Sequence, residues 1–165
     1  MFKNAVYWIA FISVCTGLIG ALLILKIVRS GGDEIDMANR GAHIEISVGN
    51  SRVVADMAAT PEAKSLGLSG REYLGSDEGM FFLFESPGLY SFWMKDMKFS
   101  IDIIWIDEGF TVADITRNAS PESFPKSFYP SRLVQYVLEV PAGWAFRHGI
   151  GIGDAVTVPL RDQLR

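Results

Sequence analysis

The chain has 165 residues, 49% hydrophobic and 21% charged, with a formal charge of -4, one cysteine and two histidines. One domain with a true core fits this length, which excludes a multidomain enzyme and a multispanning transporter. The lone Cys15 excludes a disulfide-stapled mini-protein, a cysteine-based zinc site and a thiol nucleophile in any globular part.

The hydrophobic surplus sits at the amino terminus, where Asn4 to Leu25 carries no ionisable side chain except Tyr7 and Cys15. As a helix, Ala5 to Leu25 would span about 31 Å, a bilayer's hydrocarbon thickness. Tyr7, Trp8 and Phe11 lie toward one end and Lys26 and Arg29 toward the other, like the belts of a spanning segment. A cleaved signal peptide would have a shorter apolar core and a small-x-small exit. A lipoprotein signal at Ile12, Ser13, Val14, Cys15 is opposed by bulky Val14 and by the ten apolar residues that follow. A buried core helix would carry charge on some face. The reading is an uncleaved anchor over residues 1–29, with the lipid bilayer as its partner. By the positive-inside rule, Lys26 and Arg29 would mildly favour a cytoplasmic domain.

Residues 30–41 are Gly-rich and acidic and read as a tether. Beyond Ser30 there are 12 basic against 19 acidic residues, a net charge of -7. No run of Lys or Arg interrupts that acidity, so a nucleic-acid partner is not expected. The folded domain is expected over 42–160, with a tail at 161–165. Ile44, Ile46 and Val48 alternate with His43, Glu45 and Ser47 as a half-buried strand does, and Gly49 and Asn50 turn the chain into a returning strand at Val53 to Ala55. Thr60, Pro61 and Glu62 are an N-cap, a first helical residue and a dipole-facing acid, predicting a short helix to about Ser69. Met80 to Phe84 reads as a buried strand and Leu89 to Met94 as another. Ile101 to Ile106 and Phe110 to Ile115, about Asp107, Glu108 and Gly109, form the strongest hairpin signal. Asn118 to Pro130 is a long loop with three prolines, Val134 to Val140 a strand, Trp144 to His148 a turn or two of helix, and Ala155 to Val158 a last strand. The sum predicts an α+β, β-rich fold: a compact, strongly curved or barrel-like, mostly antiparallel sheet with one or two short helices, preceded by a single transmembrane helix.

Several blocks fall in a recognisable order: Gly67, Leu68, Ser69, Gly70, Arg71; Glu78 to Phe84; Ser91, Phe92, Trp93, Met94, Lys95, Asp96, Met97; Ile101 to Asp107; Tyr136 to Gly143; and Gly149 to Asp154. In these the chain resembles the domain of unknown function 192 family over about residues 43 to 158. Asp96 departs from a frequent asparagine and Ser100 from a frequent proline. The resemblance implies a compact β-rich domain of bacterial and archaeal proteins, often preceded by an export signal or membrane anchor, with no settled activity and no catalytic residues to carry over. It turns the orientation outward, to a single-pass membrane protein with an extracytoplasmic domain.

Two readings of the polar residues remain. In the first, Trp93 stacks on a ligand ring or sugar face while Lys95 and Arg71 hold an anionic or hydroxyl-rich group, with Asp96 at the strand end. The plainer alternative makes Trp93 core and lets Lys95 snorkel over it. Asp102 interrupts the run Ile101 to Ile106, and a buried charge there needs a partner, with Arg71 or Lys95 the nearest candidates in kind. An Arg71, Lys95, Asp102 cluster would serve a hydrolase-like enzyme or a structural salt bridge. His43 and His148 lack a triad partner, Asp77, Glu78, Asp107 and Glu108 suit turns, and the glycine-rich 149–153 stretch lacks a phosphate-loop lysine. No cofactor and no metal is expected. The function read from sequence is therefore a membrane-anchored domain that binds an envelope polymer, peptide or partner protein, with the hydrolase as the alternative.

Overall fold

The computed structural model describes residues 43–159. The expected anchor, tether and tail lie outside the described residues, and within them no helix is long and apolar enough to cross a membrane. Nine strands occur among the described residues: β1 (His43–Val48), β2 (Ser51–Ala58), β3 (Glu78–Gly88), β4 (Phe92–Trp93), β5 (Ile101–Ile106), β6 (Val112–Ala119), β7 (Ser127–Phe128), β8 (Val134–Pro141) and β9 (Val156–Thr157). Two short helices, α1 (Pro61–Leu66) and α2 (Trp144–Arg147), and a 3-10 turn at Pro121–Ser123 complete the domain.

Seven strands form one sheet in the order β6-β5-β8-β3-β2-β1-β9, and β4 pairs with β7 in a small second sheet. All pairings are antiparallel except β2 with β3, which α1 connects. The sheet curls into a half-barrel. Its two edges are drawn together at one end by a Thr111–Ala155 bridge and by Val156 N–H donating to the Phe110 carbonyl at 2.8 Å.

The period-two pattern of β1 is realised: Ile44, Ile46 and Val48 are buried. They join a core with Phe81, Ile104, Tyr136, Leu138 and Trp144. Val156 and Val112, from opposite edges, meet in it, so it fills the inside of the curl. A second core on the other face gathers Leu68, Phe82, Met94, Ile103, Trp105 and Val137. The β5 strand is buried at all six residues because it serves both cores at once.

The helix at Thr60 forms as its capping residues dictate, with Ala63 N–H donating to Thr60 Oγ1 at 3.2 Å. It ends earlier than Ser69 because Gly67 takes φ +53°, outside helical space. The strand expected over Leu89 to Met94 contracts to Phe92–Trp93, and the long loop supplies its partner, β7.

Candidate ligand-binding site

The outer face of the second core is covered by α1 and by the segment from Tyr90 to Met97. Two hydrogen bonds to main-chain carbonyls hold these together: Gly70 N–H donates to the Asp96 carbonyl at 2.9 Å, and the Ser69 hydroxyl donates to the Lys95 carbonyl at 2.9 Å. Leu68 and Met94 plug the core from either side of that seam. Asp96 adopts φ +56°, a left-handed turn that lets Met94 point inward while Trp93, Lys95 and Asp96 line the outer surface.

Two adjoining cavities result. One is an open groove of about 610 Å³ lined by Pro61, Glu62, Ser65, Leu66, Ser69, Trp93, Lys95 and Asp96. The other is a narrower pocket of about 310 Å³, walled by α1 and by Phe82, Phe84, Tyr90, Phe92, Trp93 and Met97, with Glu139 reaching it from the sheet. Its rings are mutually fixed. Phe84 stacks on Tyr90, and Phe92 meets Phe82 edge-on at 4.8 Å and Trp105 edge-on at 5.4 Å. Lys64 Nζ donates to the Leu83 carbonyl at 2.9 Å and lies 5.0 Å above the Phe84 ring.

Glu139 is the group that sequence reasoning missed. It lies in a cross-sheet row, His43, Asp56, Met80, Glu139, Ile103, Thr116, whose side chains share the face of the second core. It is 5% exposed, one of two buried charged or polar residues among the described ones, with Asp102. Burial pushes its pKa up to about 8, opposed by a smaller pull from the Arg71 guanidinium, so the acid is mostly neutral at pH 7. Its signal was present in sequence: it interrupts the apolar run of Val134 to Val140 as Asp102 interrupts its own.

The residues expected at a site separate into three places. Trp93, Lys95 and Asp96 share the groove. Trp93 is 54% exposed and meets Phe124 edge-on at 6.1 Å, so it is not core, and the picture of Lys95 snorkelling over a buried ring is corrected. Arg71 forms an ion pair with Asp56, which also contacts His43 Nδ1 at 2.5 Å, in a recess that does not include Lys95. Asp102 is fully buried and accepts from Asn118 N–H at 2.8 Å and Ala145 N–H at 3.0 Å. Its hydrogen-bonding partners are main-chain amides, and neither Arg71 nor Lys95 takes that place. The reason is local: Asn118 turns β6 at φ +53°, Ala145 lies in the first turn of α2, and the carboxylate satisfies both amides. His148 Nε2 lies 3.5 Å from Asp77, which also accepts from Trp144 Nε1 at 3.3 Å.

A family model described as uncharacterized ACR, DUF192, matches residues 44–158. No curated protein matches the chain. Among solved structures, a Sinorhizobium meliloti 1021 protein described as a candidate transcription regulator superposes with a TM-score of 0.69 at 27% identity, covering 72% of this chain and 95% of its own. A protein of unknown function from Novosphingobium aromaticivorans DSM 12444 gives a TM-score of 0.65 at 32% identity, covering 70% of this chain and 84% of its own. The family match runs from β1 past β9 and takes in every wall of both cavities, and the chain belongs to the DUF192 family.

Proposed function

We propose that the protein is a single-pass, membrane-anchored binding module whose domain stands outside the cytoplasm and holds a hydroxyl-rich envelope polymer in the groove beside α1. The observation that carries this reading is the half-exposed Trp93 on the groove wall, flanked by Lys95, Asp96 and Glu62. A flat indole face takes the apolar face of a sugar ring, and ammonium and carboxylate groups beside it pair with hydroxyls. The apolar stretch from Ala5 to Leu25 supports the anchor through its length and its flanks. The separation of Arg71 and Asp102 from Lys95 takes away the cluster on which a hydrolase reading rested. Action on nucleic acid gains no support from a sequence carrying -7 beyond Ser30.

The test is retention of the detergent-solubilised full chain on purified cell-wall glycan. Trp93→Ala is expected to lower retention at least tenfold while leaving the melting temperature within about 2 °C, since the ring is mostly solvated. Equal retention of wild type and variant would overturn the groove as the site, and retention on an immobilised peptide library with none on glycan would replace the polymer by a peptide.

A further inference from the structure

The groove and the narrow pocket are parts of one site, because Ser65, Leu66, Ser69 and Trp93 line both. A polymer lying along the groove therefore passes the opening of the pocket, which acts as a side chamber of about 310 Å³. Its chemistry changes with depth. Toward solvent lie the exposed Ser65 and Ser91 and the half-buried Lys64, which spends one of its three N–H donors on the Leu83 carbonyl. Further in lie the half-buried Phe92 and Met97 and the buried Phe82. We propose that this chamber receives an N-acyl substituent of the polymer, the acetamido group of an amino sugar whose ring stacks on Trp93. The inference rests on the groove as a glycan site and names which glycan it takes.

An acetamido group carries its chemistry in the same order as the chamber. Its N–H and carbonyl lie next to the sugar ring and its methyl at the tip. A serine hydroxyl oxygen at the opening accepts from the amide N–H, and a remaining Lys64 N–H donates to the amide carbonyl. The methyl then leaves water for contact with Phe82, Phe92 and Met97. A hydroxyl at the same ring position is too short to reach those side chains and brings no apolar surface to bury. Glu139 on the chamber wall keeps an acceptor oxygen in either protonation state, so acyl recognition does not turn on its charge. The volume lies at the small end of what ligands occupy, which suits a side group and leaves no room for a second length of polymer.

The β-1,4-linked hexamers of N-acetylglucosamine and of glucose share a backbone and differ only in an acetamido or a hydroxyl group at C2. Both are titrated by NMR into the full chain in micelles of a sugar-free detergent. The acetylated hexamer is expected to bind at least tenfold more tightly, from one added hydrogen bond and one buried methyl. Its acetyl methyl is expected to give cross-relaxation peaks to the Met97 methyl. Ser91 lines the chamber and not the groove, so Ser91→Trp is expected to close the chamber and cut the preference below twofold while the glucose hexamer binds as before. The wild-type comparison decides even where that variant fails to fold. Equal affinity for the two hexamers, or a preference that a folded Ser91→Trp leaves intact, would overturn the chamber. Equal affinities that both fall in Trp93→Ala would still leave the groove standing, whereas binding of neither hexamer would remove both.

Discussion

Asp102 and Glu139 are both carboxyls inside one sheet, one strand apart in its order, and their surroundings give them opposite characters. Asp102 meets two amides that nothing else satisfies; Glu139 meets apolar side chains and a cavity. Asp102→Ala therefore strands two N–H groups and is expected to cost about 3 kcal/mol, read from urea unfolding. Glu139 acts in the other direction. Its folded pKa lies above the ordinary 4.5, at about 8, so below about pH 4.5 it is neutral in both states and costs nothing through ionisation. As pH rises from about 4.5 to 8 the unfolded chain loses a proton that the folded chain keeps, and stability falls by something on the order of 5 kcal/mol. Melting curves across that range should slope downward for wild type and flatten for Glu139→Gln. Asp114 has the opposite sign: burial raises its pKa, but hydrogen bonds from Ser131 and Ile115 and the nearby Arg132 outweigh that and lower it. Its contribution to stability is present at neutral pH and lost on acidification.

At the scale of the element, α1 is six residues long yet walls both cavities, so its cap matters beyond its length. Thr60→Ala is expected to cost about 1 kcal/mol by thermal unfolding and to weaken glycan retention as well, because the helix frays from the groove side. Gly79 is a second such point. A Cβ there would lie 2.6 Å from the Glu139 carbonyl, so Gly79→Ala forces β3 from β8 and is expected to lower the melting temperature by more than 5 °C. The strands with a period or a continuous apolar run, β1, β5 and β8, were legible in sequence, as were the hairpin of β5 with β6 and the start of α1. β4 and β7 were not. Two-residue strands carry no period, and they pair because Phe92 and Phe128 pack on the second core, which is a tertiary fact. The groove was partly legible, since Trp93, Lys95 and Asp96 are sequence neighbours on one turn. Glu139 was hidden because its cavity is made by segments 40 to 75 residues earlier in the chain.

For the whole molecule, the apolar stretch at residues 5–25 predicts that the full chain stays in the membrane pellet through a high-salt and carbonate wash. A chain recovered in the supernatant would remove the anchor from the proposal without touching the groove. The pairing of β1 with β9 has a temporal meaning. Val48 and Val156 are neighbours in the sheet but about a hundred residues apart along the chain, and the Phe110 to Val112 edge also waits for residues 153–156. A ribosome releases these segments in order, so β1 lacks its β9 neighbour until residues 156–157 appear. The half-barrel cannot close before residues 153–157 have been made. Closure of the half-barrel is thus a contact of long sequence separation, whose loop-closure entropy is met only after the intervening strands have been made.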